Sequence, residues 1–127
     1  MTHLGIRTLA ISVCLVGCLT GTAGAQSIAA GASHTVVLKP DGTVSTFGLN
    51  DNGQLGDNSQ TTRKTPVEVT GLTDVIAVAA GAYHSLALTS GGTVYAWGDN
   101  AHNQLGDGTS ADKSTPVVPT EIFAAIK

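Results

Sequence analysis

The chain repeats itself at an interval of fifty residues, without a gap. Ala30-Gly31-Ala32 returns as Ala80-Gly81-Ala82, His34 as His84, Leu38 as Leu88, and Gly42-Thr43-Val44 as Gly92-Thr93-Val94. Further along, Gly48 and Asn50 return as Gly98 and Asn100, Gln54-Leu55-Gly56-Asp57 as Gln104-Leu105-Gly106-Asp107, and Thr65-Pro66-Val67 as Thr115-Pro116-Val117. The mismatches obey a rule as well. Gly53 exchanges with Asn103 and Asn58 with Gly108; glycine and asparagine enter the left-handed backbone region most cheaply, so backbone shape is what these positions keep. Phe47 exchanges with Trp97 and Val36 with Leu86, which preserves apolar bulk. A period near fifty is the length of one four-stranded propeller blade.

The local pattern is that of strands. Ile28–Ala30 and Ile76–Ala80 are short, alanine-rich apolar runs suited to crowded inner strands. Second strands are expected over 34–39 and 84–89, and third strands over 43–48 and 93–98, where β-branched and aromatic residues favour a pleated surface. Pro40-Asp41-Gly42 and Ser90-Gly91-Gly92 supply the hairpin turns between them. Polar loops, 50–64 and 100–114, lead to outer strands at 66–69 and 116–118. Pro66 and Pro116 there require an edge position, where a missing N–H costs little. The expected fold is all-β: two four-stranded antiparallel blades of an incomplete β-propeller, preceded by a signal peptide.

That leader is residues 1–25. Arg7 is a positive n-region, Leu9 to Val16 an apolar run too short to span a bilayer, and Ala23-Gly24-Ala25 a small-residue cleavage site before Gln26. Leu15-Val16-Gly17-Cys18 also reads as a lipobox, which makes Cys18 a candidate for lipidation and a membrane anchor. Both cysteines, Cys14 and Cys18, lie in the leader, so neither an internal disulfide nor a cysteine metal site is expected. The domain plan is a first repeat over 26–77, a second over 78–120, and a divergent tail over 121–127. The expected location is secreted or cell-envelope.

Charged residues are only 12% of the 127, with nine acids against six bases. Phosphate backbones need clustered cations, and Arg63-Lys64 is the one adjacent basic pair, so nucleic acid is not an expected partner. His34 and His84 could be a metal or proton-transfer pair. Recurring once per repeat, on a strand face shared with Leu86 and Leu88, they read instead as structural residues bonded to backbone within the packed layer. Asp51-Asn52-Gly53 and the stretch Asp107 to Asp112 carry oxygens, but without the alternating spacing of a calcium loop. Phe47, Tyr95 and Trp97 could stack a ligand, but sit on interior strands and read as core. No nucleophile elbow, phosphate loop or marked carboxylate pair occurs, so no catalytic, cofactor or metal residue is assigned.

Taken together, Gly31-x-x-His34-Thr35 followed by Gly42-x-Val44-x-x-Phe47-Gly48-x-Asn50-x-x-Gly53-Gln54-Leu55-Gly56-Asp57 resembles the regulator-of-chromosome-condensation repeat. Gly81-x-x-His84-Ser85 with Gly92-x-Val94-x-x-Trp97-Gly98-x-Asn100 and Gln104-Leu105-Gly106-Asp107-Gly108 resembles it more closely. The resemblance implies a propeller usually built from about seven such repeats. This chain departs from it in having two repeats, in Phe47 where tryptophan is usual, and in losing the pattern after Thr120. The expectation is therefore a fragment or truncated member of a longer repeat protein.

Family function does not travel with the fold. The favoured reading is a non-catalytic protein-binding scaffold presenting loops 50–64 and 100–114. The alternatives are a secreted hydrolase with a dispersed propeller site, or an inactive truncated product. Two blades share one interface and leave outer apolar faces, with Val36, Leu38, Leu86 and Leu88 among the residues expected to need cover. Association with a protein partner or with itself through those faces is expected.

Overall fold

The computed structural model describes residues 27–120. The leader with its cleavage site and Cys18, and the tail 121–127, lie outside the described residues. Eight strands follow one another: β1 Ser27–Ala30, β2 His34–Leu38, β3 Val44–Gly48, β4 Arg63–Glu68, β5 Val75–Ala80, β6 His84–Thr89, β7 Val94–Gly98 and β8 Lys113–Val117. They form two four-stranded sheets in simple meander order, β1-β2-β3-β4 and β5-β6-β7-β8, every pairing antiparallel. The alanine-rich runs β1 and β5 are the inner strands, as the small side chains anticipated.

The outer strands start earlier than the prolines suggested. Arg63 already pairs with Gly48 and Lys113 with Gly98, and the register then slips, so that 64–66 lie opposite Phe47 alone. Each proline falls in or at the end of this bulge, on the sheet edge, where the ladder does not use its missing N–H. The exchanged glycine and asparagine positions all have positive φ: Gly53 79°, Asn103 60°, Asn58 66° and Gly108 82°.

The two sheets pack face to face. Their core is Val36, Leu38 and Val44 of the first blade, Val69 and Leu72 of the connection, and Val75, Ala87 and Trp97 of the second blade, with Ala29, Val78, Ala80 and Tyr95 around them. The sheets use opposite faces to do this. The first blade buries its His34–Val36–Leu38 face; the second buries its Ser85–Ala87 face. The strand face expected to be packed in both repeats is thus packed in one only. Val36 and Leu38 are covered by the second blade and need no further cover, whereas Leu86 and Leu88 line an open apolar hollow with Ala77, Ala79 and Val94. A strand has two faces and alternates between them, so identical repeats stacked in one direction must bury opposite faces at their shared seam.

Candidate functional site

One backbone oxygen of the first blade anchors two side chains of the second at the seam. The loop after β3 carries Gln54 across to the second blade, where its carbonyl accepts the Trp97 indole N–H and the Ser85 hydroxyl, both at 2.9 Å. A carbonyl has two acceptor sites, and both are taken. Having donated its proton, Ser85 Oγ accepts from His34 Nε2 at 2.9 Å. This assigns the neutral Nε2–H tautomer to His34 and leaves its Nδ1 buried without a partner. The His34 ring thus bonds a side chain of the neighbouring blade, not backbone of its own blade. His84 occupies the same place on the outer face of the second blade, half-exposed. Trp97 is fully buried at the seam; Tyr95 and Phe47 are half-buried.

Burial in the seam pushes His34 below its ordinary value of 6.5; the backbone of His84 pulls the other way, and the charge of the His84 ring adds to the fall. A histidine that stays neutral when folded but is free to charge when unfolded binds more protons in the unfolded state. Its contribution is intact above pH 6.5 and is lost as pH falls below it, towards the folded value. The urea midpoint of the protein is expected to drop between pH 7 and 5, and His34→Gln to flatten that slope. Parallel pH slopes for the two proteins would show that His34 is not responsible.

Each polar loop is wound around one buried asparagine. Asn50 Nδ2 donates to the carbonyls of Ser59 and Thr61, both at 3.0 Å, and to Asp57 Oδ1 at 3.2 Å, while Asn50 Oδ1 accepts Leu55 N–H at 2.9 Å. Asn100 repeats this with Thr109 at 2.7 Å, Ala111 at 3.0 Å, Asp107 at 3.2 Å and Leu105 N–H at 3.0 Å. Burial of the Asp57 carboxyl works against its ionisation, but hydrogen bonds from Ser59, Arg63 and Asn50 outweigh it and hold the group below its ordinary value. Asp107 is held low in the same way by Thr109, Asn100 and Lys113. Of the oxygens weighed as calcium ligands, those of Asp107 and Asp112 are engaged by the protein itself: Asp107 with Asn100 and Thr109, and Asp112 with Asn100 N–H and Asn52 Nδ2. Among the described residues no group of three or more potential metal ligands occurs.

The two loops meet. Asn52 Nδ2 donates to Asp112 Oδ2 at 2.9 Å and Asn58 N–H to the Ser114 carbonyl at 2.9 Å. The short turns joining β1 to β2 and β5 to β6 lie at the same end of the sheets, tied to each other by Ala32 N–H to the Ala82 carbonyl at 3.0 Å, and to the loops through Leu49 N–H on Ser33 and Asp99 N–H on Tyr83. The result is one continuous ledge. Exposed on it are Asp51, Asn58, Gln60, His102, Ser110 and Asp112, with Tyr83 as an exposed aromatic. Sequence reasoning found the loops but missed the asparagines that shape them. The signal was available: Asn50 and Asp57, and Asn100 and Asp107, are kept at the same spacing in both repeats.

With the two meander sheets and their seam defined, family comparison is decisive. Profiles described as "Regulator of chromosome condensation (RCC1) repeat" match residues 25–54 and 75–104 in one case, and 41–88 and 91–124 in another. The chain belongs to the RCC1 repeat family. Its two sheets are two RCC1-type propeller blades. They are similar to yeast RCC1 (Prp20) in the crystal structure of Kap60 bound to it, with 26% identity and a TM-score of 0.72 over 80% of this chain and 26% of that one. Human WBSCR16 is similar at 30% identity and a TM-score of 0.66, over 75% of this chain and 25% of that one. Prp20p from Saccharomyces cerevisiae, in a structure reported with its binding to Gsp1p and histones, is similar at 26% identity and 0.70, over 80% and 27%. The chain spans about a quarter of the length of these solved chains. Comparison with curated proteins returned no match.

Proposed function

We propose that this chain is an exported, non-catalytic RCC1-repeat scaffold that binds a protein partner on the ledge built from its two loops and inner turns. The observation that carries this is the joining of the loops across the blades, Asn52 to Asp112 and Asn58 to Ser114. It turns two flexible-looking polar loops into one preorganised surface, which lowers the ordering cost of binding. Tyr83, 43% exposed amid polar residues, has the chemistry of an anchor: large, rigid and amphipathic. The partner this surface suits is a polar, uncharged to weakly basic protein patch with a pocket for one aromatic ring.

Export rests on Arg7, the apolar run from Leu9 to Val16, and Ala23-Gly24-Ala25; lipid anchoring rests on Cys18 after Leu15-Val16-Gly17. What supports a non-catalytic role is the state of the Ser85–His34 pair. It is buried, and the serine proton points at Gln54, away from the histidine that would have to take it.

Photo-crosslinking tests the ledge. A crosslinker in place of Gln60 or His102 is expected to give a discrete protein adduct in envelope extracts, competed by unlabelled chain and weakened by Tyr83→Ala. The same crosslinker at Asp41 or Thr73, at the opposite ends of the strands, is expected to give none. Equal yields at both ends would sink the assignment, and an adduct indifferent to Tyr83→Ala would remove the aromatic anchor from it.

A further inference from the structure

We infer that the uncovered face of the second blade takes the uncovered face of the first blade of another copy of this chain, head to tail, reproducing the internal seam. The inference does not depend on the reading given to the ledge, with which this surface shares only the loop residue Gln104.

The internal seam is the template. It joins a giving face (His34, Val36, Leu38, Val44 and the carbonyl of Gln54) to a receiving face (Ser85, Ala87, Tyr95, Trp97 and Val78). Because the repeat is in register, each blade also carries the counterpart it does not use internally. The second blade presents a giving face, His84, Leu86, Leu88, Val94 and the carbonyl of Gln104, open around the hollow lined by Leu86, Leu88, Ala77 and Ala79. On the first blade the strand register places Ile28, Thr35, Val37, Ser45 and Phe47 together on its receiving face. Ile28 there is 53% exposed.

The chemistry of the template carries over. Thr35 stands where Ser85 stands, so its hydroxyl can accept from His84 Nε2 and donate to the Gln104 carbonyl, as Ser85 does with His34 and Gln54. Apolar bulk is redistributed, with a net loss on the receiving face. The giving face gains with Leu86 for Val36. The receiving face gains with Val37 for Ala87 and gives room with Phe47 for Trp97 and Ser45 for Tyr95. Phe47 has no N–H, so the contact between copies is one hydrogen bond poorer than the seam inside the chain and is the weaker of the two. Since giving and receiving faces differ, the contact is heterologous. It propagates from copy to copy until a ring closes.

A complementation experiment reads this directly. Leu86→Asp spoils the giving face and Val37→Asp the receiving face; both positions are only part-buried, and circular dichroism melts verify that each variant folds. The unaltered chain is expected to run as an oligomer by light scattering behind a sizing column. Each variant alone is expected to be monomeric, and an equimolar mixture to form a one-to-one dimer through the two intact faces. A monomeric unaltered chain overturns the inference, as happens if a segment of the same chain covers Leu86. Persistent association of either variant alone overturns it too, since that is the behaviour of a like-to-like contact. A mixture that stays monomeric is the third refuting result. Should either variant fail to fold, Leu86→Lys and Val37→Lys replace the pair with the same expected readout.

Discussion

Asn50→Asp is expected to be among the most damaging near-isosteric changes in this protein. The replacement keeps the shape and the oxygen that accepts Leu55 N–H, but the other arm changes from a donor to an acceptor. At that arm stand the carbonyls of Ser59 and Thr61 and the carboxylate of Asp57, each within 3.2 Å of Asn50 Nδ2. The site is fully buried. An ionised carboxylate among three oxygens is an uncompensated buried charge, and such charges cost about 3–5 kcal/mol. The new carboxyl escapes part of this by holding its proton, so its folded value rises above its unfolded one. A raised folded value means that the folded state binds more protons across the window between the two. The penalty therefore grows as pH rises through the folded value and shrinks in mild acid. Chemical denaturation of the variant at pH 5 and pH 8 checks this: the stability gap to the unaltered protein should be wider at pH 8. An equal gap at both would mean that lost donors, not charge, account for the effect.

Gly56→Ala against Gly106→Ala is the second large contrast, because the two glycines are the same position of the repeat. Both have positive φ, 70° and 67°, so both substitutions carry the strain of a β-carbon in the left-handed region, about 1 kcal/mol. Their surroundings differ. A β-carbon at Gly56 would lie 2.7 Å from Trp97 Nε1 and 2.9 Å from Val69 Cγ1. At Gly106 its nearest neighbour is Pro119 Cβ at 3.3 Å. Gly56→Ala must push the indole away from the Gln54 carbonyl, and overpacking of this kind adds about 1–3 kcal/mol. Gly56→Ala is thus expected to lower the melting temperature well beyond Gly106→Ala and to shift the Trp97 fluorescence maximum to the red as the seam loosens. Similar melting temperatures for the two variants would mean that backbone strain alone decides both positions.

The orphaned Gln54 Nε2 follows the same logic of position. In the second repeat the equivalent Gln104 Nε2 donates to Asp99 Oδ2 at 3.0 Å. In the first, Leu49 stands in place of that aspartate and offers no acceptor. Leu49→Asp supplies the missing partner, and a stabilisation by about 1 kcal/mol, the usual net worth of one hydrogen bond, is the expected outcome of a thermal melt. A destabilised variant would mean that the apolar contact of Leu49 outweighs the bond.

What the sequence determined by itself is what neighbouring residues decide among themselves. The fifty-residue period, the strand identities, the positive-φ exchanges of Gly53 with Asn103 and of Asn58 with Gly108, and the edge placement of Pro66 and Pro116 all follow from backbone sterics and alternation within a few residues. Those constraints act locally and are written in the residue that bears them. Only the tertiary structure decided which face of each blade is spent. His34 and His84 are the same residue in the same motif, yet one is sealed against Ser85 and the other half-exposed. At this position the two repeats carry the same residue and differ in what lies beside it, so the histidine alone does not separate the pair. The start of β4 at Arg63 and the seizure of the Gln54 carbonyl by Trp97 and Ser85, from residues 43 and 31 positions away, belong to the same class. They depend on the approach of a second sheet, and a period read along one chain carries the blade but not the direction in which blades stack.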